Sequence, residues 1–319
     1  MPARPGGPGT APAPRPGGRT RAAGRRRQPR NRPRSRDAWT ALPFLLPALV
    51  VFAYFSWGPI VRSVLMSFQR TNLTDPPRWV GFENFTNLFA DPVLMTAVRN
   101  SLWFTLLALV IGFPVPLFMA VTMSTIRRFG GLYRVLVYLP VALPPVVAVL
   151  LWKWFYDPDA GLFNHVLGLV GLGPYPWLQS STWAMPSLVL EATWAGAGSS
   201  VLIYLAALHS VPRELYEASE LDGASILRRI WHVTLPQLRG VVLVMLLLQL
   251  IGTLQVFTQP FVMTDGGPND ATVTVLFLIY RYAFVDGDYG MASALSVLLA
   301  AVLGVLSAVY LRATRRWSS

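Results

Sequence analysis

The chain has 319 residues, 53% of them hydrophobic and only 13% charged, whereas a soluble globular domain carries about 25% charged residues; a chain of this composition belongs in a bilayer. The formal net charge of +12 does not signal nucleic acid, because eleven of the 27 basic residues, all arginine, crowd into residues 1–36 with no acid among them. The remainder carries 16 basic and 15 acidic residues, so no basic groove for nucleic acid is indicated.

Residues 1–36 combine Pro, Gly and Arg without periodicity, a composition that cannot bury enough surface to offset chain entropy. A disordered cytoplasmic tail is expected there, with arginines suited to anionic lipid headgroups. The apolar run at 38–60 is longer than the core of a signal peptide and lacks a convincing small-x-small cleavage site, so it reads as a retained membrane helix. Apolar windows near the twenty residues that a crossing helix needs recur at about 41–63, 101–123, 132–154, 184–208, 241–263 and 290–311. The expected fold class is therefore an all-α membrane protein with six transmembrane helices.

Positive charge sets the expected orientation. The N-terminal tail, Arg127, Arg128 and Arg134, then Arg213, Arg228, Arg229 and Arg239, and finally Arg312, Arg315 and Arg316 hold 21 of the 27 basic residues. Arg62, Arg70, Arg78, Arg99, Lys153 and Arg281 are the six left for the opposite side. The positive-inside rule then makes both termini cytoplasmic, together with the segment between spans four and five. The outward loops, 71–99, 156–182 and 264–289, are longer, aromatic or acidic, and rich in Pro-Gly turn signals, which reads as folded structure.

Within the spans, prolines interrupt at Pro114 and Pro116 and again at Pro140, Pro144 and Pro145. They produce either ordinary kinks or broken helices that line a cavity. Glu191 is the only carboxylate well inside a span; such a group faces a solute path or a structural partner, for which Lys153 is a candidate. Trp194, Gln249 and Gln255, with Gln259, supply the stacking faces and amides that a sugar path uses, and amides equally hold membrane helices together. Catalytic and metal chemistry finds no support. There is no cysteine, the three histidines lack ligand spacing, no nucleophile or paired-carboxylate constellation exists, and Lys153, the only lysine, lies in LLWKWFY rather than in a phosphate loop. No cofactor is expected in this chain.

The stretch 210–236, SVPRELYEASELDGASILRRIWHVTLP, is the one long charge-dense segment between two strongly apolar ones. Pro212 suits a first helical turn, and Glu214 and Glu217 sit early, where the helix dipole favours carboxylates. Asp222 and Gly223 break the run, and Ser225 caps a second helix in which Ile226, Leu227, Ile230 and Trp231 share a face. Leu235 and Pro236 are expected to end that helix. The expected product is an elbow of two short helices.

The order Glu217-Ala218-Ser219, Asp222-Gly223-Ala224, Leu235-Pro236 resembles the EAA loop of ABC-importer permeases, with Ser219 standing where the second alanine is usual. WVGFENFTNLFADP, RNSLWFT, YLPVALPPVVAVLLWKWFYDPDAGLFN and QVFTQPFVMTDGGPNDAT resemble segments of binding-protein-dependent sugar permeases of the maltose and glycerol-phosphate type, in the same order. The resemblance implies a type I ABC importer permease fold, with the permease core at 97–312, a first helix and outer loop at 37–96 and a short cytoplasmic tail at 313–319. It also implies a multi-pass protein of the bacterial cytoplasmic (inner) membrane, for a sugar or, alternatively, glycerol phosphate or another polyol derivative. The implied partners are a second homologous permease, a cytoplasmic ATPase dimer that uses ATP and Mg, an extracellular solute-binding protein and the lipid bilayer. Under the same resemblance the ATPase-coupling residues are Glu217, Ala218, Ser219, Asp222, Gly223, Ala224, Leu235 and Pro236. An ion-coupled secondary transporter is a less favoured alternative, since one intramembrane acid is too few.

Overall fold

A computed structural model describes residues 35–125 and 130–315; residues 1–34 of the expected tail, Arg127 and Arg128, and residues 316–319 lie outside the described residues. In chain order the elements are α1 (Pro43–Met66), a two-residue hairpin of β1 (Gln69–Arg70) and β2 (Arg78–Trp79), α2 (Glu83–Ala90), α3 (Pro92–Ser124), α4 (Gly131–Ala142), α5 (Pro145–Phe155), α6 (Leu162–Gly168), α7 (Ala184–His209), α8 (Arg213–Leu221), α9 (Ile226–Leu254), α10 (Val275–Val285) and α11 (Tyr289–Thr314). Among the described residues α1, α3, α7, α9 and α11 are long and apolar enough to cross a membrane, and the α4–α5 pair, counted as one broken span, brings the total to six. The chain divides into two compact units after Ser56. On the N-terminal side of that point Phe44, Phe52 and Phe55 are exposed, as a helix in lipid allows.

Prolines act differently in two spans. In α3 the carbonyl of Ala108 accepts from Phe113 N at 2.8 Å, a five-residue turn just before Pro114. That wider turn shifts the hydrogen-bond ladder past the missing donor, so α3 runs on through Pro114 and Pro116 for 33 residues. Between α4 and α5 no such turn intervenes. Pro144 adopts φ −56° and ψ 135°, Pro145 starts the next helix, and the two halves meet at 106°.

The same device overturns one expectation. Leu235 and Pro236 do not end the second helix of the elbow; a five-residue turn at Ile230–Thr234, closed by Leu235 N on the Ile230 carbonyl, carries it through Pro236 into the fifth span. The elbow's second arm and the span form one helix of 29 residues. At its far end the helix stops at Leu254, nine residues before the span boundary expected at 263. Thr253 Oγ1 donates to the carbonyls of Gln249 and Leu250 at 2.9 and 3.2 Å, and Thr274 Oγ1 takes the Val256 carbonyl at 2.9 Å; the chain breaks over 255–257 and then resumes a short helical segment that ends in the wide turn Pro260–Thr264.

Three apolar clusters hold the helices. One joins Ala97 of α3 to Phe277 and Tyr282 of α10 and Leu295 of α11. A second gathers Phe104, Val149, Leu188 and Met263. The third packs Ala120, Val137, Tyr204 and Leu238. Helix α7 runs through the last two, with glycine-scale contacts on both sides: a Cβ on Gly198 would lie 2.6 Å from the Val137 carbonyl of α4, and one on Gly112 of α3 would lie 2.8 Å from Thr193 Oγ1. Away from the elbow, Asn100 Nδ2 donates to the carbonyls of Asp270 and Val273 at 2.7 and 3.0 Å, and Tyr282 donates to Asp91 at 2.6 Å. Segment 264–274 is thereby folded against α3.

Candidate functional site

The elbow is built from backbone chemistry. Helix α8 follows Pro212 and has Glu214 in its first turn. It closes on Gly223 at φ 69°, with Gly223 N on the Glu220 carbonyl at 3.0 Å and Ala224 N on the Ser219 carbonyl at 2.9 Å. These are the paired bonds by which a left-handed glycine finishes a helix. Ser225 then takes an extended conformation and its hydroxyl accepts from Arg228 N, starting α9. Two side-chain links tie the arms together: an ion pair between Arg229 and Glu220, and a 3.2 Å contact between the Tyr216 and Thr234 hydroxyls.

Each residue of the expected coupling motif has a place here. Glu217, Ala218, Asp222, Gly223 and Pro236 are exposed, and Ser219, Ala224 and Leu235 are half-buried, with Ser219 Oγ donating to the Tyr216 carbonyl at 2.7 Å. Around them lie apolar side chains with nothing over them in this chain: Leu221, 90% exposed, with Ile226, Leu227 and Trp231. Beneath the arms is a cavity of about 490 Å³ lined by His209, Arg213, Tyr216, Glu220 and Arg229 among others. The surface thus mixes exposed carboxylates, arginines and large apolar groups around a tight turn, a composition that protein-docking patches share.

The candidate path residues separate into two groups. Glu191 is fully buried, neither of its oxygens has a hydrogen-bond partner, and the Gln259 amide lies beside it without completing one. Lys153 is not its partner: Nζ donates to the Val262 carbonyl at 2.9 Å. Val262 lies in the short helical segment Pro260–Thr264 that follows the break after Leu254. Trp194 is half-buried, its ring 5.6 Å from that of Trp152. Gln249 sits where α3, α7 and α9 meet, with Nε2 3.8 Å from the point a Gly112 Cβ would occupy. Gln255, which caps α9, is exposed.

Reading the sequence missed Trp152, whose buried indole nitrogen also lacks a partner, and the asparagines Asn100 and Asn164, both buried and both bridging distant backbone. Their only signal was an amide in an otherwise apolar or aromatic run. Among the described residues no three His, Asp or Glu side chains converge on a point that a metal would occupy.

Residues 112–318 match the family model of the binding-protein-dependent transport system inner membrane component. The chain belongs to that family. This permease is 34% identical to the sulfoquinovosyl glycerol transport system permease protein SmoG of Agrobacterium fabrum, over 88% of the chain and 91% of the relative. It is also 34% identical to the sn-glycerol-3-phosphate transport system permease protein UgpA of Pectobacterium atrosepticum, over 90% and 97%. The arabinooligosaccharides transport system permease protein AraP of Bacillus subtilis is 31% identical over 85% of each chain. Among solved structures, the permease is similar to a chain of a bacterial ABC transporter involved in the import of the acidic polysaccharide alginate. The TM-score is 0.80 at 27% identity, over 89% of this chain and 98% of that one. A second similar chain, at TM-score 0.79 and 26% identity over 89% of this chain and 96% of that one, comes from a bacterial alginate ABC transporter in complex with an alginate pentasaccharide-bound periplasmic protein. Helices α1 to α11 thus belong to a multi-pass inner-membrane permease subunit of an ABC importer.

Proposed function

We propose that this permease, paired with a second homologous permease, forms the membrane channel of an importer for a sugar or oligosaccharide, and that its elbow receives the motion of a cytoplasmic ATPase dimer. The observation that carries the coupling role is the turn at Gly223. It joins two capped helices whose second arm is the fifth span itself, so a push on Leu221, Ile226 or Trp231 moves a whole membrane helix. Over 29 residues that lever is about 43 Å long, and rigid-body transmission of this kind is how alternating access is driven. ATP and Mg belong to the partner, since the chain has no phosphate loop; the 21 to 6 division of basic residues supports a cytoplasmic elbow and termini. An extracellular binding protein delivers the solute, as the alginate relative's complex with its periplasmic protein supports.

A second reading, import of a glycerol derivative, is favoured by the two relatives at 34% identity named for sulfoquinovosyl glycerol and glycerol-3-phosphate. The deciding experiment is purification of the complete importer and measurement of ATP hydrolysis with its binding protein across a panel of oligosaccharides, glycosyl glycerols and glycerol phosphate. Stimulation by one class assigns the solute. An ATPase that neither co-purifies with the chain nor responds to any member would remove the coupling role.

A further inference from the structure

The stretch 160–183 contains no Asp, Glu, Lys or Arg, and His165 is its only side chain able to carry a positive charge. It is nevertheless firmly folded. Asn164 accepts from Tyr175 N at 3.1 Å and Trp177 Nε1 at 2.9 Å, and donates to the carbonyls of Pro158 and Tyr175 at 3.1 and 3.0 Å. Tyr156 Oη donates to the Ser187 carbonyl at 3.0 Å, and the Phe163 ring packs between those of Tyr156 and Trp177. Tyr156 and Asn164 thus spend their polar atoms inside the fold, while His165, Gln179, Ser181 and Thr182 stay exposed. The aliphatic side chains point out: Leu162, Val166, Leu169, Val170 and Leu172 are all exposed, Leu169 by 76%. A loop that faces water has the opposite arrangement.

We propose that α6 and the turn after it lie in the boundary between headgroups and acyl chains, on the membrane face opposite the elbow, as an interfacial anchor of this permease. The Tyr156–Ser187 bond ties the end of α5 to the start of α7, and Leu150, Leu151 and Trp154 of α5, the helix that leads into the loop, are exposed apolar side chains too. In sequence the strip thus follows directly on exposed apolar side chains of a membrane-spanning pair of helices. Helix α6 has seven residues, too few to cross the hydrocarbon; Val166 lies in it, and Leu169 and Val170 lie in the turn directly after it. Exposed Trp154 and Trp183 stand at the two span ends, where amphipathic rings favour the membrane–water interface. A protein partner would require charged or hydrogen-bonding groups in the patch to set its register, and a lipid surface requires none.

Because the chain has no cysteine, single cysteines at Val166 and Leu169 carry nitroxide labels in the complete importer reconstituted in liposomes of phosphatidylethanolamine and phosphatidylglycerol, with Asp159 and Gln179 as exposed references in the same loop. The expected result is high accessibility to oxygen at Val166 and Leu169, with accessibility to a water-soluble nickel chelate several-fold below that at Asp159. A label that lowers the yield is replaced by one at Leu172, which is also exposed. Equal nickel accessibility at all positions overturns the proposal, since the strip then faces water. Low accessibility to both reagents overturns it in favour of cover by a second permease or a binding protein. The depth measurement is independent of transport, so a failed assignment of solute leaves it standing.

Discussion

The two ends of α7, about 39 Å apart over its 26 residues, carry apolar side chains in the open for different reasons. At the elbow they are scattered among Glu214, Glu217, Asp222 and Arg228, and the shape is held by a left-handed glycine, a serine cap and carbonyl bonds no more than six residues apart. At the opposite loop there is no charge to interrupt them, and the shape hangs on Asn164, which reaches back six residues and forward thirteen. A mixed surface on a stiff turn suits a protein partner that pushes. A largely aliphatic surface over a polar hub suits lipid.

The largest test of that contrast is all-or-none. With single cysteines at Ser210 beside the elbow and at Asp159 in the loop, both exposed, an impermeant thiol reagent added to intact cells is expected to label the second and not the first. Labelling of Ser210 from outside would reverse the orientation and end the coupling role. Next, Asn164→Leu removes four hydrogen bonds and leaves Tyr175 N and the Trp177 indole unpaired. The expected local cost is roughly 3–5 kcal/mol, at about 1 kcal/mol for each bond and more for the stranded donors. Protease nicking between α5 and α7 should rise steeply while the ATPase still binds; unchanged nicking would show that the hub does not hold the loop.

At the elbow, Gly223→Val is expected to cost about 1–3 kcal/mol, wholly from the positive φ, because nothing lies within 4 Å of the added Cβ. Chain yield should stay normal while solute-stimulated hydrolysis falls, and Gly223→Asn, which tolerates that φ, should restore most of it. A Val variant that hydrolyses ATP at the normal stimulated rate would place the lever elsewhere. Arg229→Gln breaks the pair with Glu220, whose side chain is 62% exposed; the expected loss is under about 1 kcal/mol, visible as a small drop in coupling and screened by salt. Smallest is Lys153→Met. With Lys153 on the Val262 carbonyl rather than on Glu191, it should neither change the yield of complex nor alter the phenotype of Glu191→Gln. Rescue of Glu191→Gln by Lys153→Met would reinstate the ion pair.

Legibility followed the range of the interactions. The capped elbow was readable because Pro212, Gly223 and Ser225 act on their own neighbours through φ and single hydrogen bonds. The continuation of α9 through Pro236 was not, because a five-residue turn leaves no mark in residue type, and a Leu-Pro pair reads as a stop. A turn of the same kind carries α3 through Pro114 and Pro116, where residue types alone leave kinks and broken helices both open, while Pro144-Pro145 did break its span. In the spans, Glu191 was visible as an oddity, yet its full burial without a partner came from the meeting of α7 with the chain that follows the break after Leu254.

By itself the sequence determined the membrane class, the order and approximate places of the spans, the charge asymmetry and the elbow, since each rests on composition or on contacts between residues close in the chain. Tertiary structure alone decided which proline bends a helix, where Lys153 bonds, how closely α4 approaches Gly198 and which side of α6 is left bare. Those outcomes depend on groups 13 to more than 100 residues apart competing for the same carbonyls and the same space, and no local pattern of residue types encodes the winner.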